Sequence, residues 1–169
     1  MASPGPVMNL PAGSQSAITQ QRLQLENALK GSASWFVIVA ALSIINSVLS
    51  MAGASIRFIF GMGVTQVVDA MARQAGSAGV MLNLIINGMI AGVFVLFWHF
   101  ARKGQKWSWI VGMGIYLIDG LILLPFQDYL GAAFHAYALY RMFLGFRLLS
   151  AYESLKHQES TGAISSTIG

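Results

Sequence analysis

Apolar side chains in this sequence are gathered into four long runs, separated by short polar or basic stretches. The runs cover about residues 34–51, 78–100, 107–125 and 130–150. Each is close to the length of about 20 residues that a helix needs to cross the hydrocarbon core of a bilayer. The chain is 56% hydrophobic and only 9% charged, whereas a soluble domain carries about 25% charged residues. The pattern therefore predicts an all-α fold, an integral membrane antiparallel four-helix bundle.

A further apolar stretch, residues 54–74, lies between the first two spans and carries three charged side chains, Arg57, Asp69 and Arg73. The loop that follows the second span, residues 101–107, contains three basic residues. Short loops rich in Lys and Arg stay cytoplasmic, and a fifth span would place this loop outside. We therefore predict that 54–74 is an extracytoplasmic interfacial or re-entrant helix, whose charged side chains form a lid over the outer mouth of the bundle.

The two ends of the chain are predicted to be cytoplasmic. Residues 1–32 would be a polar segment with a short amphipathic helix on the membrane surface, ended by Gly31. Residues 33–151 would form the four-span membrane domain, and residues 152–169 a tail that is disordered from Glu159 onwards. With its short connecting loops, this arrangement is typical of a multi-pass protein of the plasma (bacterial inner) membrane.

Each predicted span carries a polar side chain at a similar depth: Asn46, Asn87, Asp119 and His135. At 1.5 Å per residue all four lie roughly 8–14 Å below the outer boundary. Burying such groups without partners costs several kcal/mol each, so they should face the bundle interior and meet. The most specific contact expected is an Asp119–His135 hydrogen bond across the last hairpin. Arg141 is expected to reach Asp119 too, because helical side chains tilt toward the N-terminus.

Gly88 and Gly92 form a pair of small residues four positions apart in the second span. Such pairs allow close approach of two helices in a membrane. We interpret them as helix-packing residues within the chain, with a dimer face as the alternative.

The residue types restrict the chemistry that the chain offers. It contains no cysteine, which excludes disulfides and thiolate metal sites. Its three histidines, His99, His135 and His157, belong to different predicted depths, so we predict no metal site and no cofactor. No strained serine elbow is present, and no catalytic residue is assigned. The net charge of +4 is dispersed, so nucleic acid is not an expected partner.

Three functions are compatible with these features. The leading hypothesis is a small non-catalytic polytopic membrane protein, an accessory or structural subunit or a self-associating module. Its partners would be the lipid bilayer and either other membrane subunits or a homo-oligomer. The first alternative is a transporter or binding protein for an ion or small polar solute, which would occupy the outer-half polar cluster. The second is a membrane enzyme that uses Asp119 and His135 as an acid–base pair. Whether the polar layer is structural or functional stays open at this point.

Overall fold

The computed structural model describes residues 12–51, 68, 76–125 and 127–168. Over these ranges the chain forms four helices, which confirms the all-α prediction. They are α1 (Ala12–Met51), α2 (Gly76–Arg102), α3 (Lys106–Ile122) and α4 (Tyr129–Ile168). The predicted lid helix at 54–74, with Arg57, Asp69 and Arg73, lies outside the described residues apart from Val68.

Each helix packs against the next one in the chain, and α4 also packs against α1, so the four helices form a closed bundle. Helix α1 contacts α2 and α4, and α3 contacts the same two helices. Neighbours run antiparallel: Phe36 of α1 meets Phe97 of α2, whereas Ser47, later in α1, meets Asn87, earlier in α2. The α2–α3 connection is a turn at residues 103–105, in which Gly104 has a positive φ of 80° that favours glycine.

Aromatic rings fill the centre of the bundle near the α2–α3 turn. The Phe36 ring lies 5.8 Å from that of Trp109 and 6.3 Å from that of Phe94, and Phe94 meets Tyr116 edge-on at 6.0 Å. Such tilted pairs stabilise a core beyond the area that they bury. Gly112 makes room for them, because a Cβ there would lie 2.6 Å from the Phe36 ring.

The glycines that permit close helix approach are not the pair expected from the sequence. Gly88 and Gly92 are exposed on α2, and a Cβ added at either would meet no described residue within 4 Å. Within the part of the chain that the structure describes, neither glycine mediates the packing expected from the sequence. At Gly145 of α4, by contrast, a Cβ would run into Ser32 of α1 and Trp109 of α3. Spacing of small residues identified a helix face, but the face points outward.

Helices α1 and α4 extend together beyond the α2–α3 turn. Gly104 in that turn lies against Leu149 and Tyr152, so the first part of α1 and the last part of α4 reach past it as an antiparallel pair, the two-helix extension. Arg22 forms an ion pair with Glu159 across this pair. Both the helix end predicted at Gly31 and the disorder predicted from Glu159 are wrong, since both helices continue.

The reason that α1 continues through Gly31 lies in its buried stripe. Leu29, Ser32, Ala33 and Phe36 are all buried and spaced as one helical face. Tertiary packing of such a face stabilises a helix more than intrinsic propensity does. The cost of about 1 kcal/mol for one glycine in a helix interior is therefore overcome.

The ion pairs of the two-helix extension should make its stability depend on pH in the acidic range. The Lys30 ammonium, 2.5 Å from the Glu26 carboxylate and assisted by Arg22, holds the pKa of Glu26 below its ordinary value of 4.5. A carboxyl whose pKa is lower in the folded than in the unfolded chain stabilises the fold above the unfolded-state value. This contribution is lost as the pH falls through the folded-state value.

We therefore expect Glu26→Gln to lower the free energy of unfolding at pH 7 by less than about 1 kcal/mol, because the ion pair is partly exposed. The thermal midpoint should fall slightly. The difference in thermal midpoint between the variant and the unaltered chain should shrink as the pH falls below 4.5. Thermal unfolding in detergent micelles at stepped pH measures this. A gap that is constant from pH 7 to pH 3 would show that Glu26 does not contribute through its charge.

Candidate polar site in the bundle interior

Four of the five polar side chains expected in the interior are buried there. Asn46, Asn87, Asp119 and His135 are each at most 6% exposed. They come from all four helices, because Asn46 lies on α1, Asn87 on α2, Asp119 on α3 and His135 on α4. The fifth, Arg141, is exposed.

Asp119 and His135 join α3 to α4. The imidazole Nε2 lies 2.8 Å from Asp119 Oδ2, as predicted for this hairpin, and Nδ1 lies 2.9 Å from the carbonyl oxygen of Gly131 one turn earlier. Gly120 allows the approach, because a Cβ there would lie 3.0 Å from that of His135. The Tyr116 ring stacks on the imidazole, with centroids 4.3 Å apart and planes at 18°. The imidazole is therefore fixed in position by three neighbours.

These hydrogen bonds determine how many protons the pair carries. The Gly131 carbonyl can only accept, so His135 Nδ1 must carry a hydrogen and donate it. A neutral imidazole then presents a lone pair at Nε2, facing a carboxylate oxygen that is also an acceptor. The 2.8 Å contact therefore requires one more proton between the two atoms. In either position of that proton, on oxygen or on nitrogen, the pair as a whole is uncharged, which suits its burial.

A second group of buried polar side chains lies between α1 and α2. The Asn87 amide donates to Ser47 Oγ at 2.7 Å and to Asn83 Oδ1 at 2.6 Å. Since Phe94 and Tyr116 are at the same level, the rise of 1.5 Å per residue puts Asn87 roughly 6 Å farther from the α2–α3 turn than Asp119. The polar interior thus has two levels, an amide–hydroxyl level and an acid–imidazole level.

Arg141 does not join Asp119, so this part of the prediction is wrong. Its guanidinium lies over the Trp35 ring at 5.6 Å and its Nη1 lies 3.4 Å from Tyr137 Oη. Six residues separate Arg141 from His135, which turns the side chain about 120° away around the helix. The depth of Arg141 along α4 was compatible with a contact to Asp119, but its angular position around the helix was not.

Tyr116 is the member of the site that sequence reasoning missed. It is fully buried, and its hydroxyl has no hydrogen-bond partner among the described residues. An aromatic residue within an apolar run gave no reason to single it out. The available signal was its spacing, three residues before Asp119 and so on the same helical face.

No group of three or more His, Asp or Glu side chains that could hold a metal ion occurs within the part of the chain that the structure describes. The arrangement can hold a proton between two helices and can bond helices through amides. Comparisons of the chain with protein-family models, curated proteins and solved structures gave no match.

Proposed function

We propose that this chain is a polytopic membrane protein that acts without catalysis, as a small accessory or structural subunit or as a self-associating module. The observation that carries the proposal is the inverted polarity of the bundle. Met89 and Ile118 are 68% and 62% exposed, while Asn87, Asp119 and His135 are buried. Water disfavours an apolar surface of this extent, whereas lipid favours it and drives polar groups inward.

Helix lengths and hydropathy support the membrane location. Helices α1 and α2 are each long and apolar enough to cross a bilayer. We extend this to α3 and α4 because each packs against α2 or α1 over the same stretch as an antiparallel neighbour. The bundle would thus span the plasma membrane four times.

Charge supports the orientation. Three basic residues in or directly beside the α2–α3 turn lie at the same end of the bundle as the two-helix extension: Arg102, Lys103 and Lys106. By the rule that short basic loops stay inside, this end is cytoplasmic. Both ends of the chain then lie in the cytoplasm.

The absence of cysteine allows a direct test of this topology. Single cysteines at Tyr129, which is 70% exposed at the start of α4, and at Ser160, which is exposed in the two-helix extension, would be treated with a membrane-impermeant maleimide. We expect Tyr129→Cys to react in intact cells and Ser160→Cys only after permeabilisation. Equal reaction of both in intact cells, or recovery of the chain in the soluble fraction, would overturn the membrane assignment.

The bonding partners of the polar residues support the non-catalytic role. Asp119 bonds to His135 on the neighbouring helix, and Asn87 bonds to Ser47 on another neighbour. Each level thus ties a pair of helices together, which is the usual role of polar side chains inside membrane bundles. A subunit of this kind fixes its own shape and presents its outer surface to partners.

A second candidate, a proton-linked carrier of a small solute, is favoured by the proton shared between Asp119 and His135. The variant Asp119→Asn separates the two functions. Its amide can donate to Nε2 of the same neutral imidazole, so the helix contact survives while the exchangeable acid is removed. In the subunit role, Asp119→Asn assembles with stoichiometric membrane partners, or with itself, as the unaltered chain does. Loss of proton or solute flux in proteoliposomes with folding intact would instead establish the carrier.

A further inference from the structure

A groove runs along the outer surface between α3 and α4, with a volume of about 380 Å³. Its α3 wall includes Gly114 and Leu117, and its α4 wall includes Ala136, Leu139 and Phe143. These side chains are apolar. The groove is open at Gly114, where a Cβ would meet nothing within 4 Å among the residues that the structure describes.

The cytoplasmic-side end of the groove is basic. Arg147 follows Phe143 by one helical turn on the same face of α4, and it is exposed. On α3, Lys106 lies two turns before Met113 on the wall of the groove, and its ammonium is 2.7 Å from Glu153. Arg147 forms no ion pair with any of the residues that the structure describes. The apolar groove thus ends at the Arg147 guanidinium, which can bind an anion.

We infer that this groove binds one acyl chain of an anionic phospholipid, whose phosphate is held by Arg147. The inference rests on the proposed membrane location. A guanidinium matches the phosphate group with two parallel hydrogen bonds. Arg147 also lies two residues before Leu149, which packs against Gly104 of the basic α2–α3 turn, and so near the level where lipid headgroups would be.

The charge at one end of the groove favours a lipid over a helix of another protein. The walls are apolar over about two helical turns, roughly 10 Å. An apolar stretch that ends at a guanidinium matches the order of groups in a phospholipid, an acyl chain followed by a phosphate. A lipid therefore satisfies both parts of the site.

The test is lipid binding by the purified full chain in dodecyl maltoside micelles, measured by native mass spectrometry. Phosphatidylglycerol and phosphatidylcholine with identical acyl chains are compared. We expect tighter binding of phosphatidylglycerol, and about a fivefold loss in Arg147→Gln, the effect of one basic residue near an anionic membrane surface. Arg141→Gln is the matched control, because Arg141 is exposed on the same helix but faces Trp35. It should bind as the unaltered chain does.

The groove itself is tested with Gly114→Leu, whose side chain occupies the space of the acyl chain and should reduce binding of both lipids. Gly92→Leu, at an equally open glycine on α2, is its control and should have no effect. Equal binding of the two lipids, equal losses in the two arginine variants, or an unchanged Gly114→Leu would overturn the inference. So would competition by inorganic phosphate alone, which would indicate an anion site without a chain.

Another result would replace the lipid with a second copy of the chain. In that case Gly114→Leu would change the oligomeric state and leave lipid retention unaltered. Failure of the lipid site can be separated from failure of the proposed function. If cysteine labelling supports the four-span topology while lipid selectivity is missing, only the groove assignment is lost. If labelling rejects a membrane location, both are lost.

Discussion

Replacing His135 with alanine is expected to destabilise the bundle by about 3 kcal/mol, because it leaves the buried Asp119 carboxyl without this hydrogen-bond partner and opens a cavity. The imidazole bonds to Asp119 Oδ2 and to the Gly131 carbonyl and stacks on Tyr116. Alanine removes all three contacts and leaves a cavity between α3 and α4. Thermal unfolding in detergent micelles, followed by tryptophan fluorescence, measures the change.

Asp119→Asn is the informative control for this prediction. Because His135 Nδ1 is committed to the Gly131 carbonyl, the imidazole has a lone pair at Nε2, to which the asparagine amide can donate. We expect a loss of less than about 1 kcal/mol, since one neutral hydrogen bond replaces another. Replacing Asp119 and His135 together by leucine should recover much of the stability lost in His135→Ala, as apolar replacement of buried pairs often does. If Asp119→Asn were as damaging as His135→Ala, the shared proton would not lie where the geometry puts it.

Introducing a single methyl group at Gly145 is expected to have the second large effect. A Cβ at this position meets Ser32 of α1 and lies 2.6 Å from Trp109 Cη2 of α3. Neither Ser32 Cβ nor Trp109 Cη2 can move far, because both residues are buried against the core. Overpacking of this kind costs about 1–3 kcal/mol, so Gly145→Ala should lower the unfolding midpoint and Gly145→Val should lower it further.

Gly92→Ala provides the comparison for Gly145→Ala. Gly92 also lies within a helix, but a Cβ there would meet none of the described residues within 4 Å. The substitution should be neutral or should stabilise the helix by up to about 1 kcal/mol through propensity alone. A midpoint in Gly92→Ala as low as that in Gly145→Ala would mean that α2 packs through this face, as in a dimer.

The sequence was most informative where one physical constraint acted along the chain. Four long apolar runs predicted four helices. The cost of burying polar groups in lipid predicted that four side chains would face inward: Asn46, Asn87, Asp119 and His135. The Asp119–His135 bond followed from counting residues from the turn. These predictions depend on distance along a helix, which sequence spacing gives directly.

Other predictions failed because they depend on angles and on neighbours. Arg141 has a suitable depth but lies about 120° around α4 from His135. Gly88 and Gly92 share a face, yet spacing alone does not say which helix, if any, that face meets. Gly31 is a typical helix end, but the buried residues on either side of it hold α1 in one piece. Each outcome was decided by contacts between helices that are distant in sequence.

The two-helix extension brings the beginning of α1 and the end of α4 to the same side of the molecule, as the Arg22–Glu159 ion pair requires. The two halves of a split fluorescent protein, fused one to each terminus, would therefore be held side by side by a single polypeptide. Such a fusion would fluoresce at any expression level. Because complementation depends on both helix ends lying at the same end of the bundle, its fluorescence would report assembly of the bundle inside living cells.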